Sequence, residues 1–221
     1  MSAKAWFQRL LGSLKGASAE AAPTRWIMLD VETSGLDPRN DRLLAIAAVG
    51  MQVNWASGTI QVNIGDSFEV VLRQEEVSTK ENILLHGIGA ERQRQGIDPR
   101  EAMEAFMHFA GGAPLLAFHA AFDQALITRY FHKHLDTQLA NDWLDIDHLC
   151  AVTYEKVRAR ALDDWLDHFG IHCAVRHQAA ADTLAECELL QRIWPRVAPQ
   201  CSNWRDVQRL ANQHRWIQRA Q

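Results

Sequence analysis

The segment Trp26–Leu36, WIMLDVETSGL, decides how the rest of the sequence is interpreted. Its apolar first half, Trp26–Val31, is typical of a strand buried in the centre of a sheet. Asp30 and Glu32 stand two residues apart, which puts both carboxylates on the same side of a strand. Two neighbouring acids repel, so the pair favours a bound cation or a proton on one of them, and hard oxygen ligands select Mg²⁺ or Mn²⁺. Two exposed acids at a strand end are the alternative interpretation.

Further apolar patterns predict the other elements. Strands are expected at Leu43–Met51, Thr59–Ile64, Phe68–Leu72, Leu115–Phe118 and Trp143–Ile146, with Gly65-Asp66 separating two strands of a hairpin or meander. Helices are expected from Pro99 to Ala110, at Phe122–Leu135, 148–158, 161–169 and 178–194, and at Trp204–Ile217, with Pro195 ending the longest. Strands first, then strands alternating with helices, indicate an α/β fold with a mixed sheet covered on its faces.

The chain is expected to divide into a tail at residues 1–23, a main domain at 24–197 and a C-terminal helical segment at 198–221. In the tail, Ala5–Leu14 places its apolar residues on one helical face and carries only basic charges. Such a helix is compatible with a membrane surface, a partner, an organelle transit peptide, or packing on its own domain or a dimer mate.

The composition excludes several classes of protein. The chain has 221 residues, and 23 Lys and Arg against 27 Asp and Glu give a net charge of −4, so bulk positive charge does not drive nucleic-acid binding. No apolar run approaches the roughly 18 residues of a membrane span. The four cysteines contain no CxxC pair, and no secretory signal precedes them, which favours reduced thiols and a cytoplasmic location.

Three short motifs carry candidate chemistry. After the first acids, Thr33–Leu36 combines small hydroxyl residues and a glycine, which let a ligand approach the backbone, with an apolar side chain suited to packing under a base. A predicted strand runs into Asp123 at a helix start, where capping is an equally good explanation for an aspartate. His177 and Asp182 are five apart and converge on one cleft if His177 lies just before the helix.

Together the three motifs resemble those of the DnaQ-like 3′–5′ exonucleases of the DEDDh group, which are related to the proofreading subunit of bacterial DNA polymerase III. They read DVETSGL at Asp30–Leu36, FHAAFD at Phe118–Asp123 and HQAAAD at His177–Asp182, in the family's order. The resemblance covers about residues 24–195 and implies a ribonuclease H-like fold, a five-stranded mixed sheet flanked by helices. Ser34 departs mildly from the family pattern, and Phe118-His119 replaces its His-Asn, which puts the second-motif contacts other than the aspartate in doubt.

The resemblance also implies a mechanism. Asp30, Glu32, Asp123 and Asp182 would hold two divalent ions, Mg²⁺ or Mn²⁺, which clamp the attacking and leaving oxygens of an in-line phosphoryl displacement. His177 would be the general base, since histidine exchanges protons readily near neutral pH. The backbone at Thr33 and the side chain of Leu36 would hold the terminal nucleotide. Arg176, next to His177, is a candidate phosphate contact, with a solvated surface arginine as the alternative.

Three functions follow. The first is an exonuclease that shortens DNA from its 3′ end and releases nucleoside 5′-monophosphates. The second is an exoribonuclease of the same group, because no motif reveals contacts to a 2′-hydroxyl. The third is a non-catalytic nucleic-acid-binding or scaffold subunit. The expected partner is a nucleic acid 3′ end, single-stranded by preference, together with a homodimer mate or polymerase-type partner bound through the tails.

Overall fold

A computed structural model of the chain describes residues 24–217, so the amphipathic segment predicted at Ala5–Leu14 lies outside the described residues. The centre of the fold is a five-stranded sheet in the order β3-β2-β1-β4-β5. Its strands are β1 (Thr24–Thr33), β2 (Leu43–Asn54), β3 (Thr59–Val71), β4 (Leu115–Ala117) and β5 (Trp143–Asp145). The first three pair antiparallel and the last two join β1 in parallel, which confirms the mixed sheet.

Helices cover both faces of the sheet. They are α1 (Lys80–His86), α2 (Ala90–Arg94), α3 (Pro99–Ala110), α4 (Ala121–Leu135), α5 (Ile146–Thr153), α6 (Leu162–Phe169), α7 (Ala179–Val197) and α8 (Trp204–Asn212), with short 3-10 helices at Ala198–Gln200 and Gln213–Trp216. The two shortest, α1 and α2, follow β3 and have no counterpart among the predicted elements.

The alternation of β1 divides the interior into two layers. Trp26 and Met28 pack with residues of α5, α6, α7 and α8 on one face. Ile27 and Leu29 pack with residues of α3 and α4 on the other. Because side chains alternate along a strand, Asp30 and Glu32 continue the line of Trp26 and Met28 and face the side of the sheet on which α7 lies.

The predicted turn at Gly65-Asp66 is wrong, because β3 runs as one strand through it. Opposite it on β2, Val49 pairs with Ser67 and Gly50 with Asn63, so the intervening residues form a bulge. The Asp66 carboxylate turns across β2 and accepts two hydrogen bonds from Arg25 on β1, at 2.6 and 2.8 Å. This crossing requires a glycine at position 50, where a Cβ would lie 2.0 Å from Asp66 Oδ2.

Two predicted helix ends also differ. Helix α7 continues past Pro195 to Val197. A proline this close to the C-terminus removes one backbone hydrogen bond in the last turn, where helices fray in any case, so the helix tolerates it. Helix α5 ends at Thr153, where the Thr153 hydroxyl donates to the carbonyl of Leu149 at 2.6 Å.

The C-terminal helix α8 packs on the chain's own core. Val207, Leu210 and Ala211 are buried there, and the ring centroids of Trp204 and Trp26 lie 4.9 Å apart in an edge-to-face contact. The C-terminal tail is expected to bind a partner, but the apolar face of its predicted helix is already covered by the chain's own core. A partner of this segment would have to use other residues.

Candidate active site

The predicted acids of the first motif lie near the C-terminal end of β1, the central strand of the sheet. Asp30 is half-buried and Glu32 is buried, and the pairing of β1 with β2 becomes irregular between Glu32 and Thr33. Burial, followed by the charges of Asp123, Glu32 and Asp182, raises the pKa of Asp30 well above its ordinary value. The end of β1 is thus a place where negative charge is concentrated.

The third motif brings Asp182 to the same place from the first turn of α7. Carboxylate oxygens of Asp30, Glu32 and Asp182 lie within 4.8 Å of one another. Ala179 and Thr183 are buried where α7 approaches the sheet. Both side chains are small, and the Thr183 hydroxyl donates to the Ala179 carbonyl of the same helix at 2.7 Å, so it needs no partner from the sheet. The predicted convergence of the first and third motifs is therefore present in the fold.

Asp123 reaches the cluster from the first turn of α4, after β4. It is not one of the three residues whose oxygens lie within 4.8 Å of one another. Its charge is nevertheless the second-largest cause of the raised pKa of Asp30, after burial. Burial is also the first cause of the raised pKa of Asp123 itself. Asp123 is only 3% exposed and lies near other acids, so its carboxylate does not face solvent as a simple helix cap would.

His177 lies immediately before α7 with a φ of 61°, a left-handed conformation that is uncommon for residues other than glycine. Its backbone N–H donates to Asp182 Oδ2 at 2.9 Å, and its side chain is exposed. The imidazole therefore stands at the solvent side of the carboxylate cluster. This is the position that a general base acting on a water molecule needs.

Thr33 and Leu36 differ sharply in exposure. Thr33 is buried; its hydroxyl donates to the carbonyl of Gly35 at 2.6 Å, and its own carbonyl accepts from Asn82 Nδ2 at 2.7 Å. Leu36 is 91% exposed, just beyond the turn that Thr33 begins. The turn thus presents one free apolar side chain beside the acids.

The structure adds His86, which sequence reasoning missed. It lies in the last turn of α1 with its Nδ1 in close contact with Glu32 Oε2, and its ring centroid is 6.4 Å from that of His177. Burial is the main cause of the raised pKa of Glu32, and the contact with His86 opposes it. A helix start at Thr79 and a helix-ending glycine at Gly87 are the sequence signals that would have placed His86.

A second missed residue is Glu186, one turn after Asp182 on α7. It is 2% exposed, and its Oε2 has no hydrogen-bond partner among residues 24–217. Burial, then the charges of Asp30, Asp123 and Asp182, raise its pKa well above the ordinary 4.5. Its side chain extends the acidic cluster into the interior.

The donor set fits a divalent cation. All the converging groups are carboxylates, the hard oxygen ligands that Mg²⁺ and Mn²⁺ prefer. Glu32 Oε1 is buried with no hydrogen-bond partner in the part of the chain that the structure describes. Burial, and after it repulsion by the neighbouring acids, raises the pKa of Asp30, and a cation among these oxygens would offset that repulsion.

Comparison with known proteins identifies the family. The model of an exonuclease family, RNase_T, matches residues 27–190. The chain belongs to this exonuclease family. The prediction of a DnaQ-like 3′–5′ exonuclease is thereby confirmed, as is the assignment to the class of phosphodiester-cleaving enzymes, for which a dependence on divalent metal is a family property.

Curated relatives match most of this chain, but the match covers only a small part of the length of each relative. The chain is 26% identical over 174 residues to a PolC-type DNA polymerase III of Caldanaerobacter subterraneus subsp. tengcongensis, covering 79% of this chain and 12% of that protein. It is 29% identical over 176 residues to a DNA polymerase III subunit epsilon-like protein of Rhodobacter capsulatus, covering 77% and 24%. The chain therefore spans a quarter or less of these relatives.

Solved structures confirm the ribonuclease H-like fold. Exonuclease I of E. coli, in complex with a dA16 oligonucleotide, superposes with a TM-score of 0.63 at 16% identity, covering 80% of this chain and 43% of that one. A further structure of exonuclease I gives a TM-score of 0.62 at 18% identity, covering 80% and 44%. Within residues 24–217, no helix has the length and apolar character to cross a membrane.

Proposed function

We propose that this exonuclease shortens single-stranded DNA from its 3′ end and releases nucleoside 5′-monophosphates. The observation that carries the proposal is the cluster of Asp30, Glu32 and Asp182 oxygens within 4.8 Å, with His177 held on Asp182 at its solvent side. The preference for DNA is supported by the names of the relatives, which are DNA polymerases, and by the oligonucleotide bound to a structural neighbour.

The cluster would hold two divalent ions, Mg²⁺ or Mn²⁺, through Asp30, Glu32, Asp123 and Asp182. When bound, such ions supply an activated water and stabilise the charge that develops on the leaving oxygen. The chain's own contribution is the carboxylate arrangement: β1 fixes two acids on one side of a strand, and α4 and α7 each add one from a first helical turn. The ligand oxygens are thus carried by residues of a strand and two helices, which place them more precisely than loops do.

His177 would accept the proton of the attacking water at a ring nitrogen. As the bond from the water oxygen to phosphorus forms, the bond from phosphorus to the 3′ oxygen breaks. The terminal nucleotide leaves as its 5′-monophosphate, and the 3′ oxygen of the shortened strand takes a proton from solvent to become the new 3′-hydroxyl. The role is supported by the exposed imidazole and by the backbone bond from His177 to Asp182 at 2.9 Å, which holds the main chain of His177 beside the cluster. Thr33 and Leu36 would hold the terminal nucleotide, and the 91% exposure of Leu36 supports this.

The test is a degradation assay on matched 5′-labelled DNA and RNA single strands, with Mn²⁺ or with EDTA. The wild-type chain should give a metal-dependent ladder that shortens from the 3′ end, faster on DNA. Asp30→Asn should remove the ladder, whereas Asp167→Asn, at an exposed position of α6, should leave it unchanged.

Three outcomes would contradict the proposal in different ways. A faster ladder on RNA would replace it with the exoribonuclease alternative. Retained binding of both strands with no cleavage would indicate a non-catalytic subunit. A ladder that persists in EDTA would remove the metal ions from the mechanism. A homodimer or a polymerase-type partner, and a cytoplasmic location, stay predictions.

A further inference from the structure

Arg176 lies in the loop between α6 and α7, just outside the third motif, and contacts two carboxylates from different helices. Its Nε donates to Asp163 Oδ1 of α6 at 2.5 Å, and a terminal guanidinium nitrogen forms a short ion pair with Asp182 Oδ1 of α7. The Arg176 side chain is 28% exposed, and that of Asp182 is 7% exposed. The guanidinium is therefore a bridge with one end inside the acidic cluster.

The Asp182 carboxylate already receives three donors from this loop. Oδ1 accepts from Arg176 and from the Cys173 thiol at 3.3 Å, and Oδ2 accepts from the His177 backbone N–H at 2.9 Å. A carboxylate offers about four acceptor positions. Most of the capacity of Asp182 is thus used to hold the loop that carries His177.

Arg176 is the charged member of these donors and the one that also reaches a second element. Charge-assisted bonds to a carboxylate are about twice as strong as neutral ones, and a guanidinium presents several donors in one plane. Lysine carries the same charge on a single nitrogen and cannot span two separate carboxylates in the same way. The bridge from Asp163 to Asp182 therefore depends on arginine.

We propose that Arg176 is a positioning residue that fixes the His177 loop on Asp182 and competes with a divalent ion for Asp182 Oδ1. The inference rests on the proposed function, because it takes Asp182 as a metal ligand. An ion coordinated by Asp30, Glu32 and Asp182 needs an oxygen of Asp182, and the guanidinium holds one of the two. Arg176 thereby weakens metal binding while it keeps His177 in place for the reaction.

The proposal predicts opposite changes in two measured quantities. Arg176→Gln should tighten Mn²⁺ binding, with Kd falling on the order of tenfold, because a competing positive charge is lost. The same variant should lower kcat at saturating Mn²⁺ on the order of tenfold, because the His177 loop loses its charged anchor. A residue that only stabilised the fold would instead weaken Mn²⁺ binding and lower kcat together.

The experiment is calorimetric titration of the full chain with Mn²⁺ in the absence of nucleic acid, combined with kcat and KM on single-stranded DNA. Arg176→Lys keeps the charge without the bridge, so it should retain a Kd near the wild-type value and a reduced kcat. Asp163→Asn is the matched control, because the side chain of Asp163 is 60% exposed and bonds only the far side of the guanidinium. It should lower kcat and leave the Mn²⁺ Kd unchanged.

The proposal is overturned if the Arg176→Gln chain, shown to be folded by its circular dichroism spectrum, has a Kd for Mn²⁺ that is equal to or higher than that of the wild type. Equal Kd values for Arg176→Gln and Arg176→Lys would also overturn it, and this comparison holds even if one variant loses stability. Failure of the wild-type chain to bind Mn²⁺ or to cleave DNA would be a failure of the proposed function itself, which the wild-type control separates from the first two results.

Discussion

Replacing Glu186 by glutamine should make the folded chain more stable at neutral pH. The side chain is 2% exposed, and its Oε2 has no hydrogen-bond partner among residues 24–217. Burial and the neighbouring acids raise its pKa well above 4.5, so the folded chain favours the protonated form of this group. Unfolding releases Glu186 to water, where it ionises freely, and this release favours the unfolded state as the pH rises.

The size of the effect follows from the pH interval. Above pH 4.5, the ordinary pKa of this group, the unfolded state gains about 1.4 kcal/mol for each pH unit over which the folded state keeps its proton. At pH 7 the penalty is therefore at most about 3 kcal/mol. Below pH 4.5 both states are protonated and the penalty disappears; above the folded-state pKa it stops growing. Glu186→Gln removes the ionisation and should recover this free energy.

The assay is urea unfolding at several pH values from 5 to 8, with EDTA present so that divalent ions do not offset the charges. The gain of Glu186→Gln over the wild type should be small at pH 5 and rise towards pH 7. The matched control is Glu188→Gln on the same helix, where the glutamate side chain is 42% exposed and pairs with Arg192. Its effect should stay within about 0.5 kcal/mol at every pH. A Glu186→Gln gain that does not change with pH, or no gain at all, would mean that Glu186 does not hold a proton in the folded chain at these pH values.

Three further substitutions test the nucleotide contact and the packing. Leu36→Ala should raise the KM for single-stranded DNA up to roughly tenfold through lost apolar contact, with Tm unchanged because the side chain is 91% exposed; an unchanged KM would exclude the contact. Gly96→Ala should destabilise by about 1–3 kcal/mol in urea unfolding, because its Cβ would lie 2.6 Å from the Arg73 backbone nitrogen; wild-type stability would contradict the close approach. Tyr130→Phe should cost about 1–3 kcal/mol, because the buried Leu43 N–H that donates to the Tyr130 hydroxyl at 2.9 Å loses its acceptor, and a neutral result would mean that water replaces it.

The acids of the motifs could be predicted from sequence because local geometry settles their direction. A spacing of two on a strand puts Asp30 and Glu32 on one side, and Asp123 and Asp182 each sit in a first helical turn after a recognisable signal. The central place of β1 followed in the same way from its continuous apolar run. These features depend on neighbours within a few residues, which the sequence displays directly.

What escaped prediction depends on contacts between distant parts of the chain. His86 lies at the acidic cluster only because α1 packs back against Glu32. The seven-residue segment that carries it is too short for its apolar pattern to predict a helix. The continuation of β3 through a bulge at Gly65 is accompanied by the contact of Asp66 with Arg25, which is 41 residues away. The sequence around Glu186 does not distinguish it from a solvent-exposed glutamate of a helix, because its burial results from the packing of α7 on the sheet. In each case a tertiary contact overrode a local signal.

Helix α1 has a consequence for the motions of the site. It has seven residues, none of them buried, and exposes 74% of Leu84. So short a helix has little stability of its own, and segments with few buried contacts open most readily in hydrogen exchange. Its amide hydrogens should therefore exchange well before those of α7. Each opening of α1 withdraws the His86 imidazole from Glu32, so the accessibility of that carboxylate is set by a local unfolding equilibrium rather than by the rigidity of the sheet beneath it.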